Sequence, residues 1–134
     1  MKITEIILSI FELSGNTALF DLKEEVHNGA DRRWLPIAQQ RRDEETHVLH
    51  VRTDEGVEGI CTVGDARYTT LHHAELDALR ILTIGENPLD RERLNSKLQA
   101  ATRTIFSRPG WFGAFDNCLW DIAGQVAGLP VYAL

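Results

Sequence analysis

Histidine pairs are the residues of this chain whose chemistry most resembles that of a metal site. His47 and His50 have ligand-like spacing, but residues three apart on a strand point to opposite faces of a sheet. His72 and His73 are adjacent, and adjacent side chains on a helix diverge by about 100°. Because neither pair can readily chelate one ion, we predict no metal site in this chain.

The carboxylates near the C-terminus do not form a catalytic pair. Asp116 and Asp121 lie five residues apart on a predicted helix, so they diverge around its axis, and a capping or hydrogen-bonding role suits them better. The chain also lacks a glycine-rich phosphate loop and a G-x-S-x-G nucleophile elbow. We therefore predict no catalytic residue among these 134 residues.

The bulk composition is that of one ordinary globular domain. The chain has 43% hydrophobic and 25% charged residues, as is usual for a globular protein. Its 134 residues are enough to form one hydrophobic core but too few for two domains. Its net charge of -6 argues against a general affinity for nucleic acid or anionic membranes. With no signal peptide and no apolar run near the roughly 20 residues that span a bilayer, we expect a cytoplasmic protein. In that compartment Cys61 and Cys118 are expected to be reduced and buried.

The first half of the chain predicts three strands. β-branched and apolar residues over 3–13 predict the first strand, which Ser14-Gly15-Asn16 should end. Alternation over 46–53, a turn at Asp54-Glu55-Gly56 and a return over 57–63 predict a hairpin. Residues 15–45 and 64–70 show no sustained period and are predicted to be loops, the first of them unusually long.

The second half predicts three helices. Thr69 or Thr70 is the expected cap of the first helix, which Gly85 ends. Asn87 as cap and Pro88 as first residue predict the start of the second helix. A third helix, ended by Gly128, is predicted by an apolar stripe with spacings of three and four: Phe112, Phe115, Leu119, Ile122 and Val126.

This order of elements predicts an α+β fold. The tight turn between the second and third strands makes the sheet an antiparallel meander, and the three helices that follow must pack on one face of it. Residues 1–134 contain no repeat or linker and are expected to form a single domain.

The most specific motif lies near the C-terminus, where residues 114–132 read AFDNCLWDIAGQVAGLPVY. This stretch is similar to a helix that leads out of the N-terminal capping domain in the mandelate racemase and muconate lactonizing branch of the enolase superfamily. That helix reads A-hydrophobic-D-x-A-L-W-D-hydrophobic-x-G-K and is followed by G-x-P. Cys118 stands where the family usually has alanine, and Gln125 where it usually has lysine. Residues 53–59 and 84–90 resemble the family's hairpin and its segment between the first two helices, in the expected order.

The resemblance implies that this chain is a capping domain whose C-terminal (β/α) barrel is missing. The family's metal-binding carboxylates and acid/base residues lie in the barrel. The chain alone is therefore expected to be inactive, and Mg²⁺ is implied only for a full-length parent. Such a parent would abstract a proton α to a carboxylate, as a racemase, dehydratase or cycloisomerase, with a mild preference for an acid-sugar dehydratase. The implied partners are the barrel domain and a small carboxylate substrate.

The family's capping domain covers the barrel mouth with two loops, which correspond by position to residues 15–45 and 64–70. The side chains that this resemblance suggests would face a substrate are Leu19, Phe20, His27 and Trp34 from the first loop, with Asp65, Arg67 and Tyr68 from the second. In the alternative interpretation, Phe20 and Trp34 only pack their loop against the sheet, and Arg67 is solvated.

Two other functions stay open at this stage. A free-standing α+β module would bind a small ligand with the long loop, whereas an oligomerisation domain would have a large symmetric interface and no pocket. A capping domain instead predicts exposed apolar surface near the last helix and the long loop, where a barrel docks. Self-association over that surface would produce a homo-oligomer.

Overall fold

The computed structural model describes residues 1–27, 29, 31–63, 71–106 and 110–134, and its account of side chains excludes 13–22, 27, 31 and 34–44. One sheet contains three strands in the order β1–β2–β3, with bounds β1 Ile3–His27, β2 Asp31–Thr53 and β3 Glu58–Val63. Three helices and a short 3-10 turn follow: α1 His73–Thr83, α2 Arg91–Thr102, α3 Gly113–Ala127 and η1 Val131–Ala133. The predicted α+β fold, with three strands before three helices, is confirmed.

The largest departure from the sequence prediction concerns residues 15–45. These residues are predicted to be a loop, whereas β1 continues to His27 and β2 already begins at Asp31. The two strands are hydrogen-bonded neighbours, and Gly29, with a φ of 75°, lies between them. Cross-strand pairing satisfies backbone N–H and C=O groups whatever the side chains are. Strands can therefore form here although the sequence shows no apolar period.

The chain divides into two compact units. One unit comprises residues 1–10 and 47–134, and the other comprises residues 11–46. In the second unit Arg32 Nη1 lies 2.9 Å from Glu24 Oε1, which links the end of β1 to the start of β2. Every buried hydrophobic residue that the structure describes belongs to the first unit.

The hairpin of β2 and β3 agrees with the sequence prediction. Its antiparallel register runs from His47 opposite Val63 to Arg52 opposite Glu58. The backbone N–H of Thr53 donates to Val57 O at 3.1 Å, and Gly56 takes the positive φ of 79° that the turn requires. Leu49 and Val51 are fully buried, so alternate residues of β2 enter the core.

Helix α3 buries most of its predicted apolar stripe. Phe115, Leu119 and Ile122 are almost completely buried, with Phe112 just before the helix. Val126, the last member of the stripe, is 48% exposed because the final turn of α3 runs past the core. Gly128 ends the helix in the left-handed conformation, with a φ of 65°, as predicted.

The first two helices begin later than predicted. The N-cap of α1 is His72, whose backbone N–H donates to Glu75 Oε2 at 2.8 Å, so neither Thr69 nor Thr70 is the cap. Both threonines lie outside the described residues.

Asn87 makes the hydrogen bond expected of a helix cap, but it belongs to a turn that precedes α2. Asn87 Oδ1 accepts the Leu89 N–H at 3.1 Å, the type of bond expected of a cap. The Asp90 N–H also donates to Asn87 O, so these residues form a separate turn, and α2 starts only at Arg91. The prediction that Asn87 and Pro88 open the helix is therefore wrong by one turn.

The connection between α1 and α2 is bonded to the outer edge of β1. The Ile3 N–H donates to Glu86 O at 2.9 Å, and the Gly85 N–H donates to Ile3 O at 2.8 Å. Arg80 Nε of α1 donates to Ile6 O at 3.0 Å. These bonds satisfy backbone groups that an edge strand would otherwise leave unpaired, and they fix both helices relative to the start of the sheet.

Candidate functional site

The side chains of the seven predicted substrate-facing residues lie outside the part of the chain that the structure describes. The backbones of Leu19, Phe20 and His27 belong to β1, and that of Trp34 belongs to β2, but their side chains are outside the description. Asp65, Arg67 and Tyr68 follow β3 and lie outside the described residues altogether. Their substrate-facing roles stay predictions.

The end of β2, β3 and α3 form the platform from which the 64–70 segment begins. Gly59 of β3 touches the backbone of α3: a Cβ atom at this glycine would lie 2.1 Å from Cys118 O and 2.9 Å from the Ile122 side chain. Only a residue without a side chain permits this approach. The second glycine of the hairpin motif therefore serves helix–strand packing.

Two polar side chains of α3 bind the open edge of β3. Asp121 Oδ2 accepts the Ile60 N–H at 2.9 Å, and Gln125 Nε2 donates to Glu58 O at 2.7 Å. The predicted hydrogen-bonding role of Asp121 is thus observed. Gln125 is a hydrogen-bond donor, as the family's usual lysine would be. Its side chain pairs with the Glu58 carbonyl, a backbone group that an edge strand would otherwise leave without a protein partner.

A charged cluster occupies the strands beside this platform. Glu58 Oε1 lies 2.8 Å from Arg52 Nε and 3.4 Å from His50 Nδ1. Arg52 Nη1 also pairs with Glu5 Oε2 at 3.0 Å. The Arg52 hydrogen bond holds the pKa of the Glu58 carboxyl below its ordinary value, and the Glu58 and Glu5 hydrogen bonds raise the pKa of Arg52. Both groups are thus held in their charged forms, which suits a structural ion-pair cluster better than proton transfer.

Among the described residues, no group of three or more His, Cys, Asp or Glu side chains is placed so that it could hold a metal ion. Cys61 is half-buried and Cys118 fully buried, and both are free thiols. Desolvation raises the pKa of the Cys118 thiol far above its ordinary value, so this sulfur is not a nucleophile at neutral pH. No helix in the described ranges is long and apolar enough to cross a bilayer.

A groove between the start of α2 and the outer face of α3 was missed by the sequence analysis. It measures about 650 Å³, and its lining includes Leu89, Arg91, Asp116 and Trp120. The Arg91 guanidinium carbon lies 3.2 Å from the centre of the Trp120 ring, a cation–π contact between the two helices. Three acids, Asp90, Glu92 and Asp116, and two arginines, Arg91 and Arg93, share this groove, so it has no clear preference for an anion.

The last residues present a second feature that the sequence analysis anticipated only in outline. Five apolar side chains at and beyond the end of α3 are exposed, and we call them the C-terminal apolar surface: Val126, Leu129, Val131, Tyr132 and Leu134. Tyr132 is 91% exposed. A hollow of about 460 Å³ beside them is lined by Asn117, Trp120, Asp121, Val131 and Leu134. Single exposed apolar residues are common on protein surfaces, whereas large contiguous apolar patches are typical of interaction sites.

The sequence matches the family described as mandelate racemase / muconate lactonizing enzyme, N-terminal domain, over residues 23–134. The chain belongs to this family. A D-mannonate dehydratase from a Sphingomonas species is 38% identical over an alignment 95 residues long, which covers 64% of this chain and 22% of that protein. The predicted membership in the enolase superfamily is confirmed.

Solved structures share the fold of this N-terminal domain. D-glucarate dehydratase from Agrobacterium tumefaciens, complexed with magnesium, matches 99% of this chain and 32% of its own length, with a TM-score of 0.71 and 25% identity. N-succinyl Arg/Lys racemase from Bacillus cereus matches 98% of this chain and 32% of its own length, with a TM-score of 0.63 and 25% identity. The chain thus spans about a third of these structures' length and about a fifth of the mannonate dehydratase.

Proposed function

We propose that this N-terminal domain caps the active site of a larger enzyme that removes water from a sugar acid. The observation that carries the proposal is the family match over 23–134, together with relatives named for D-mannonate and D-glucarate dehydration. Alone, the 134-residue chain is inactive in this proposal, because the family resemblance assigns the acid/base and metal-binding groups to the barrel domain.

The proposed parent reaction starts with removal of the proton α to the substrate carboxylate. That proton is weakly acidic, so the negative charge that develops needs strong electrostatic stabilisation, and Mg²⁺ supplies such stabilisation when bound. The described residues of this chain do not fit the metal. The metal and the acid/base groups therefore belong, in this proposal, to a barrel domain that the chain does not contain.

The chain's own contribution is to cover the substrate and exclude water. Residues 15–45 and 64–70 are the segments proposed to do so, since they correspond by position to the family's capping loops. Leu19, Phe20, His27, Trp34, Asp65, Arg67 and Tyr68 are the proposed contact residues. Racemisation is the second candidate, because one matched structure is a racemase and proton removal α to a carboxylate begins both reactions. Homo-oligomerisation and a cytoplasmic location stay predictions.

The first test is the reading frame that follows codon 134 in the source DNA. We expect it to encode roughly 200 further residues of alternating strands and helices, the size of a (β/α) barrel. A stop codon directly after Leu134 would contradict the proposal and favour a free-standing binding module.

The second test measures capping in the longer protein encoded by that frame. Trp34→Ala and Arg67→Ala should each raise KM for the preferred sugar acid by about 10-fold or more, as expected when a contact to a bound substrate is lost. Arg33→Ala, next to Trp34 and exposed, and Arg103→Ala, exposed after α2, are the matched controls and should leave KM unchanged. The proposal fails if all four variants retain the KM of the unmodified enzyme, or if the enzyme dehydrates no sugar acid.

A further inference from the structure

Two cysteines meet where β3 packs against α3. Cys118 of α3 is fully buried, and its thiol donates to Leu49 O across 3.6 Å. In the sheet Leu49 lies directly opposite Cys61 of β3, and the Cα atoms of such partners are about 4.5–5.5 Å apart. The Cys118 sulfur therefore lies beside the backbone of the residue that pairs with Cys61.

The Cys61 side chain faces the same helix. Asn117, the residue before Cys118, has its Nδ2 atom 3.7 Å from Cys61 Sγ. Gly59 lies on the same face of β3, and a Cβ atom there would lie 2.1 Å from Cys118 O, so strand and helix are in backbone contact. A disulfide needs Cα atoms about 4.4–6.8 Å apart, and this close approach brings such a span within reach of the two cysteines.

The two thiols differ in exposure and therefore in the order in which they react. Cys61 is half-buried, so a small oxidant can reach it, whereas Cys118 has no exposed surface. Burial and, secondly, the nearby Cys61 raise the pKa of the Cys118 thiol, which therefore stays protonated. Cys118 also stands where the family usually has alanine, so the pair is not part of the family's usual pattern.

We propose that Cys61 and Cys118 form a reversible redox pair, a site at which hydrogen peroxide links β3 to α3. In the first step the Cys61 sulfur, as the thiolate, attacks one peroxide oxygen, and the O–O bond breaks. Cys61 becomes a sulfenic acid, and the other oxygen leaves as hydroxide. The oxidation of one sulfur by two electrons thus balances the reduction of the peroxide.

The second step joins the two sulfur atoms. The Cys118 sulfur attacks the Cys61 sulfur, the S–O bond breaks, and the Cys118 proton leaves with the hydroxyl group as water. Because the proton is transferred in this step, no free Cys118 thiolate has to form beforehand. A small dithiol returns both cysteines to thiols and is itself oxidised to a disulfide.

The link fastens α3 to the strand that ends at Val63. It rests on contacts within this chain and is independent of the proposed function. A disulfide that closes a long loop stabilises the fold mainly by restricting the unfolded chain, so the oxidised form should unfold at a temperature about 5 °C or more above that of the reduced form. Dithiothreitol should reverse this shift.

The test treats the folded 134-residue chain with hydrogen peroxide and measures its intact mass and its peptides under non-reducing conditions. We expect the loss of two hydrogen atoms and a peptide pair linked through Cys61 and Cys118, both reversed by dithiothreitol. Cys118→Ala, which introduces the family's usual residue, should accumulate a Cys61 sulfenic acid that dimedone traps. Cys61→Ser, the matched control, should form neither the trapped adduct nor the link.

Three results would overturn the inference. The first is a Cys61 sulfinic acid in a chain whose Cys118 remains a free thiol. The second is a disulfide that joins two chains through Cys61 and leaves Cys118 unmodified. The third is a link between Cys61 and Cys118 that forms only in urea, because the folded contact between β3 and α3 would then play no part in it.

Discussion

At the scale of single residues, Gly59 is the position where one added methyl group has the clearest consequence. Its Cβ would lie 2.1 Å from Cys118 O, and a backbone atom inside a helix cannot move aside as a flexible side chain can. We expect Gly59→Ala to lower the free energy of unfolding by about 3 kcal/mol or more, at the upper end of overpacking effects. Urea denaturation followed by circular dichroism measures this loss.

Gly113→Ala is the matched control for this substitution. Gly113 is the first residue of α3, and a Cβ there meets no atom within 4 Å. Since alanine favours helix by up to about 1 kcal/mol over glycine, Gly113→Ala should be neutral or stabilising. Equal effects of the two substitutions would show that β3 does not approach α3 as closely as described.

At the scale of elements, Glu86 joins α2 to the connection that precedes it. Its carboxylate lies 2.7 Å from Arg93 Nη2 and 2.6 Å from Lys97 Nζ, and these hydrogen bonds lower its pKa from 4.5 to about 2. A carboxyl whose pKa is lowered by folding stabilises the fold above its unfolded pKa, and that stability is lost as the pH falls through the folded value. Glu86 should therefore stabilise the domain above pH 4.5 and lose this effect between pH 4.5 and about 2.

Denaturation at a series of pH values tests this linkage. The difference in unfolding free energy between the unmodified chain and Glu86→Gln should be largest above pH 4.5 and shrink towards pH 2. Arg93→Gln, which removes the cation at 2.7 Å, should reduce the same pH dependence. A pH dependence that survives both substitutions unchanged would assign it to another group.

At the scale of the whole molecule, the division into two units predicts that residues 11–46 can be removed. Every core residue that the structure describes lies in residues 1–10 and 47–134, and β1 and β2 are neighbours in the sheet. A short turn containing Asn-Gly could therefore join Ile10 to His47 as a hairpin. The deletion variant should keep a single cooperative unfolding transition and its helical circular dichroism. A variant that unfolds without cooperativity would mean that residues 11–46 supply part of the core.

The sequence by itself determined the elements whose information is local. The hairpin over 46–63 follows from alternation and a glycine turn, and α3 follows from an apolar stripe ended by Gly128. The same helix carries the motif that indicated the family. These features could be read because each is specified by residues close to one another in the chain.

Only the tertiary structure decided the features that depend on distant residues. Residues 15–45 are mostly strand because β1 and β2 pair through backbone groups, which leave no apolar period in the sequence. Gly59 meets α3, Arg91 stacks on Trp120, and the C-terminal segment folds onto Gly124, all across separations that periodicity does not report. A substrate-facing role is likewise a property of contacts between distant atoms, which the local spacing of residues does not encode.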